Sequence, residues 1–179
     1  MQDALLVGRV LRGDAEAYGE LVSRHMRQAF AIAYRILEHR EDAEDAVQDA
    51  FIRALERIDQ LGPGGRFRPW MLRIVVNTAL NSRRRRGVRR TEAVLDTMAA
   101  DGSLPDEAAE RADLRARLSA ALDALPEKQR TIVQLADLEH MRSAEIGEIL
   151  ELSDGTVRWH LHEARRALRQ ALSPVREDT

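Results

Sequence analysis

Cysteine is absent from the 179 residues. Disulfides and thiolate metal sites are therefore excluded. Aromatic residues make up only 4% of the chain, too few for aromatic-cored all-β folds, and no segment keeps a two-residue alternation long enough for a strand. No apolar run approaches the roughly 20 residues that span a bilayer. The opening MQDALLVGRVLRGDAE lacks the basic start and long apolar core of a signal peptide, so a cytoplasmic protein is expected. Catalytic signatures are also missing: no carboxylate pair, no nucleophile beside a base and no glycine-rich phosphate loop stands out. The five histidines are His25, His39, His140, His160 and His162. Of these, His160 and His162 are two apart and diverge on a helix. No enzyme, metal site or cofactor is expected.

What remains is a chain rich in Ala, Leu, Arg and Glu, with 32% charged residues. Its net charge of −2 conceals an uneven distribution. Met1–Arg90 carries net +5, Thr91–Ala109 carries five acids and no base, and Glu110–Thr179 carries net −2. Two basic surfaces separated by an acidic spacer are implied.

Helical periodicity fills both flanks of the spacer. Asp14 is suited to cap a helix bearing Tyr18, Leu21, Val22, Met26, Ala29, Phe30 and Ala33. A second helix is expected over Arg40–Ile58, with an apolar stripe of Ala43, Ala46, Val47, Ala50, Phe51, Ala54, Leu55 and Ile58. Its other face carries Asp42, Asp45, Asp49, Ile52 and Glu56. LGPGG then breaks the chain. A third helix is expected from Pro69, where proline suits the first turn. Beyond the spacer, four short helices follow. The first covers about Asp106–Leu122, the second starts at Pro126, and Ser143 and Ser153 are expected to cap the last two.

Two stretches carry chemistry. NSRRRRGVRR places six arginines within eight residues. A helix C-terminus favours cations, but needs only one or two. Six create a potential suited to a polyanion. In SDGTVRWHLHEARRAL, the apolar positions Val157, Leu161, Ala164 and Leu168 form one stripe, which Leu172 extends. The other side offers Arg158, Trp159, His160, His162, Arg165, Arg166 and Arg169, none of them needed for packing. A short helix, a break at Glu151-Leu152-Ser153 and a longer basic helix make a helix-turn-helix pattern, whose second helix enters the major groove. A solvated basic helix face would show the same periodicity.

Four ordered stretches together resemble the extracytoplasmic-function group of bacterial RNA polymerase sigma factors. They are REDAEDAVQDAFIRAL, FRPWMLRIVVNTALNSRRRR, LDALPEKQRTIVQL and EIGEILELSDGTVRWHLHEARRAL. The resemblance implies an all-α protein of two small helical domains, 1–90 and 110–179, joined by a flexible acidic linker, 91–109. The first domain would bind core RNA polymerase through Asp42, Asp45, Gln48, Asp49, Ile52 and Arg53. It would also open the −10 element with Arg66, Phe67, Arg68, Arg73, Asn77 and Asn81, while Arg83, Arg84, Arg85 and Arg86 hold backbone phosphates. The second would read the −35 element with Ser143, Thr156, Arg158, Trp159, His162, Arg165 and Arg166. Core polymerase and promoter DNA are the implied partners, and an anti-sigma factor is a further candidate.

Two positions depart from the family pattern. Glu151 stands where glycine is common in the turn, and a left-handed backbone there would cost about 1 kcal/mol. Trp159 and His160 replace small or basic residues, which leaves the individual −35 contacts open. Two other readings compete: a stand-alone helix-turn-helix regulator of operator DNA, and a helical adaptor that binds only proteins.

Overall fold

The computed structural model describes residues 2–62, 65–92 and 106–173. All regular structure among them is helical. The first block comprises α1 (Gln2–Val10), α2 (Ala15–Leu37), α3 (Arg40–Glu56) and α4 (Phe67–Glu92). The second comprises α5 (Asp106–Asp123), α6 (Glu127–Val133, continued by one π turn over Gln134–Leu138), α7 (Ser143–Leu150) and α8 (Asp154–Leu172). The middle of the expected linker, 93–105, lies outside the described residues.

The helix α1 was not anticipated from the sequence. Only Leu6 and Val7 bury on it, and polar contacts complete its docking. Asp3 takes Arg24 at 2.7 Å and the buried His25 at 2.9 Å. Helix α2 begins where expected, with the Asp14 carboxylate accepting from the Ala17 N–H at 3.1 Å, one of the donors a helix start leaves unpaired.

Two boundaries shift. The helix α3 ends at Glu56 and a 3-10 turn, Ile58–Leu61, follows it, keeping Ile58 buried. Leu55, expected on the apolar stripe, is instead 46% exposed. Helix α4 starts at Phe67 rather than Pro69, so Phe67, Met71, Leu72, Val75, Val76 and Ala79 all bury. In α8, Val157, Leu161 and Ala164 are buried, and Leu168 half-buried.

One apolar cluster runs through both blocks. It joins α1–α4 to Ile132, Leu135, Met141, Ile146, Ile149, Val157 and Leu161. The π turn also tethers the blocks, since the Gln134 side-chain amide donates to the Arg35 carbonyl at 3.0 Å. The blocks are therefore closed against each other along α4 and α7.

Candidate nucleic-acid interface

Three surfaces hold the residues singled out by sequence. On α3, Asp45, Gln48, Asp49 and Ile52 are exposed, and Asp42 and Arg53 are half-buried. Asp42 is not free, because Arg86 reaches it at 2.5 Å. Ile52 is 50% exposed. It lines an apolar groove of about 420 Å³ with Met26, Phe30, Val47, Phe51 and Leu55. Tyr18 closes one end, and its hydroxyl donates to the Phe51 carbonyl. Burial pushes the Tyr18 phenol up to about 12.

The second surface is the cationic flank of α4 and the loop before it. Phe67 is a correction: it is 2% exposed. Its ring packs 5.5 Å from His25 and 6.0 Å from Trp70. A side chain so enclosed is core and cannot line a base pocket in this conformation. Trp70 is half-buried against the same core. Asn77 and Asn81 are exposed.

The arginines of this flank are occupied. Arg66 meets Glu148 at 2.8 Å. Arg68 meets Glu145 at 3.1 Å and donates to Gln28 at 2.9 Å. Arg73 pairs with Glu151. Arg83 meets Glu127 at 3.1 Å, and Arg84 pairs with the other oxygen of the same carboxylate. Hydrogen bonding from Arg84 is the main influence holding the Glu127 carboxyl below its ordinary range, with Arg83 adding to it. Glu145 is also held low, first by the Arg142 backbone N–H and then by Arg68. A cavity of about 200 Å³ lies between the blocks, lined by Arg73, Asn77, Arg84, Glu127, Lys128 and Glu151.

The third surface is α8 and the turn before it. Arg142, not Ser143, occupies the N-cap position of α7. Ser143 begins the helix, and its hydroxyl donates to the Asp154 carboxylate. The turn closes tightly. Glu151 adopts the left-handed conformation (φ 56°, ψ 44°), and the Leu152 N–H reaches the Gly147 carbonyl at 2.9 Å. A Cβ on Gly147 would sit 2.6 Å from the Leu152 carbonyl oxygen. Glycine is thus required at 147 by close approach, while position 151 carries the backbone strain anticipated for it.

Ser153 caps α8 as expected, accepting from the Thr156 N–H at 3.1 Å. Trp159 is 58% exposed. His160 packs edge-on to it at 4.8 Å, and burial together with nearby Lys128 lowers the His160 pKa. Arg158 pairs with Asp154 at 2.9 Å and Arg166 with Glu163 at 2.6 Å. Arg165 is the exception among the candidates. It forks onto both oxygens of Asp137 in the π turn, so it fixes α8 to α6 as well as facing solvent. His162 is exposed.

Sequence reasoning missed the carboxylates Glu127, Glu145, Glu148 and Glu151. A signal was present: the last three recur every third residue, which puts them on one helical face. Among the described residues no group of three or more His, Asp or Glu could hold a metal, and no helix is long and apolar enough to cross a membrane.

The chain matches the Sigma-70 region 2 family over residues 21–89 and the Sigma-70 region 4 family over residues 115–168. It is 37% identical over 166 residues to the ECF RNA polymerase sigma factor SigE of Mycolicibacterium smegmatis, covering 91% of this chain and 64% of that one. This chain therefore spans less than two thirds of that relative. It is 32% identical over 176 residues to the ECF RNA polymerase sigma factor SigW of Bacillus subtilis, covering 93% of this chain and 94% of that one. Among solved structures it resembles CnrH in complex with the cytosolic domain of CnrY, with a TM-score of 0.69, 28% identity and coverage of 96% and 97%. The sigma factor RpoE from Bartonella quintana shares the fold, with a TM-score of 0.63, 22% identity and coverage of 90% and 100%.

Proposed function

The chain belongs to the extracytoplasmic-function group of RNA polymerase sigma factors, and from that premise we propose how its three surfaces divide the work of promoter-specific initiation. The first block, through region 2, binds core polymerase and opens the −10 element. The second, through region 4, reads the −35 element. The protein acts by binding and positioning and catalyses no reaction. The observation that carries this reading is the ordered match of both sigma regions over the blocks that hold α3, α4 and α8.

Core polymerase meets α3. Asp45 and Asp49 stand one helical turn apart with Gln48 and Ile52 beside them, all exposed. Exposed Ile52 amid carboxylates suits an interface whose centre is apolar and whose rim is charged.

The −10 strand meets α4. Arginine supplies the fork that fits phosphate, and Asn77 and Asn81 can hydrogen-bond unpaired base edges. Arg66, Arg68, Arg73 and Arg83 to Arg86 follow the strand, since unstacked bases need cationic support along their backbone. Phe67 holds the helix start from within the core rather than stacking on a base.

The −35 duplex meets α8. Thr156, Arg158, Trp159 and His162 lie in its first two turns, the part that enters the groove. An arginine there can fork onto guanine, and an apolar face such as Trp159 can meet a thymine methyl. Arg166 lies further along, where phosphate contact is expected, and Ser143 supports the turn through Asp154. A third partner is a protein of the anti-sigma class, on the analogy of the CnrH–CnrY complex.

Run-off transcription with purified core polymerase tests the reading. Promoter-specific transcripts that need both proteins are expected. Tight duplex binding without polymerase, and no transcripts, would favour a stand-alone regulator. Binding to neither would leave an adaptor.

A further inference from the structure

The arginines assigned to the −10 strand are also the arginines that face the second block. Arg66, Arg68, Arg73, Arg83 and Arg84 each meet a carboxylate of α6, α7 or the turn after α7. The partners lie 43 to 82 residues away in the chain, so local helix chemistry does not explain the pairing. From Arg66 to Arg84 the helix rises roughly 27 Å. Along that length four carboxylates are laid out in the order Glu148, Glu145, Glu151 and Glu127. Carboxylates and phosphates present similar oxygens to a guanidinium fork.

We propose that Glu127, Glu145, Glu148 and Glu151 form a carboxylate row that occupies the phosphate-binding flank of α4 in the closed molecule, so that nucleic acid and the second block compete for one surface. The inference rests on the reading of α4 as the strand-contacting helix. It adds that the free protein is self-masked and that the two blocks must part before α4 can meet DNA.

Several observations support a mask that can open. The arginines keep substantial exposure, with side chains at 66% for Arg66 and 62% for Arg84. Exposed pairs are individually weak, so the row can be displaced piecewise by a polyanion. The apolar seam behind it supplies the complementary half, with Ile149 fully buried and Leu150 and Leu80 beside it. A second tether, Arg35 to Glu139 at 3.2 Å, lies near the π turn and touches no arginine of α4. Opening therefore exposes α4 while the acids, freed of their partners, remain on the second block as a repulsive surface for DNA.

The competing equilibrium sets the expected effect. When only a fraction of molecules is open, the apparent affinity of α4 for nucleic acid falls by that fraction. Removing four charges from the row should raise that fraction.

The test uses the full chain carrying E127Q/E145Q/E148Q/E151Q. Because the chain has no cysteine, Glu56→Cys on α3 and Gln170→Cys on α8 accept a fluorescent donor and acceptor; both positions are exposed. The probe for binding is a single-stranded oligothymidine 20-mer at fixed salt. The variant should show lower energy transfer and bind the oligonucleotide on the order of tenfold more tightly. Adding the oligonucleotide to the unmutated chain should lower its transfer as well. The exchange R73E/E151R provides a folding-independent control: either single change should lower transfer, and the double should restore it. Unchanged affinity in the quadruple variant overturns the proposal, whether or not transfer falls. Unchanged transfer on oligonucleotide addition overturns it too. Run-off transcription by the unmutated chain is scored separately. Its absence would refute the sigma reading, while the affinity difference would still report on the row.

Discussion

Glu151 carries two opposed contributions that substitutions can separate. Its backbone is left-handed, with φ at 56°, and a Cβ in that region costs about 1 kcal/mol. Its side chain meets Arg73 while remaining 70% exposed. At such exposure the pair is worth no more than about 0.5 kcal/mol. Glu151→Gly therefore removes roughly 1 kcal/mol of strain and loses at most half as much in pairing. Glu151→Gln loses the pair and keeps the strain. Relative to the unmutated chain, glycine should be neutral to about 1 kcal/mol more stable, and glutamine slightly less stable. The glycine and glutamine variants should differ by about 1 kcal/mol, or roughly 2–4 °C in melting temperature for a chain of this size. Urea titration followed by circular dichroism, with equal slopes across the three proteins, measures this. Both variants should lower interblock energy transfer equally, because both lose the same carboxylate. A glycine variant less stable than the glutamine variant would refute the strain argument. Unequal loss of transfer would show that the turn, and not the pair, governs closure.

Asp45→Arg with Asp49→Arg should lower core polymerase affinity at least tenfold with unchanged helicity, since both residues are exposed; equal affinity in a titration removes α3 from the interface. Phe67→Ala should cost about 3–5 kcal/mol in urea unfolding and Phe67→Leu under about 1.5 kcal/mol; a stable alanine variant that fails only in promoter opening would return Phe67 to base recognition. Arg158→Ala should cost about 1–3 kcal/mol and relax preference at one or two −35 base pairs, whereas Arg166→Ala should weaken all duplexes alike; uniform loss in both, measured on a duplex library, would put α8 on phosphates alone. Glu127 and Glu145 titrate below their ordinary value of 4.5 in the closed form, so their contribution is complete above that pH and fades as pH falls below it. Interblock transfer should decline in acid from about pH 4.5 downwards, and a decline centred near neutrality would point to a histidine instead.

The helices that hold the candidate surfaces were legible because each repeats an apolar residue every three or four positions with a capping residue ahead of it. Asp14 and Ser153 cap as their sequence context implies. α1 escaped because its burial rests on two residues and on Asp3 reaching His25, a contact that no local pattern encodes. Phe67 was misassigned because an aromatic before a proline reads as loop, whereas here the helix begins with it and turns it inward. Leu55 was misplaced because its spacing fits the stripe while its direction follows Ile52 and Met26 towards the open groove. The α3 acids and the α8 cations were found from their position off the apolar stripes. Which arginine meets which carboxylate could not be read, since pairing across 43 to 82 residues depends on how the blocks close. The three-residue recurrence of Glu145, Glu148 and Glu151 was visible, but its meaning required the facing helix.

The π turn over Gln134–Leu138 has a bearing on how this chain tolerates length changes. A π turn holds an additional residue relative to the α-helical path. Deleting Ala136 would let α6 run on as an uninterrupted α-helix, yet everything after it would rotate by about 100° relative to everything before. Gln134 would still face the Arg35 carbonyl, but Met141 and the turn leading into α7 would swing out of the seam. Insertions and deletions at this point are therefore not equivalent to those in an ordinary loop. A one-residue indel here acts as a rotation of the reading head against the body of the molecule, and lineages that altered the length of this segment would need compensating changes in both blocks.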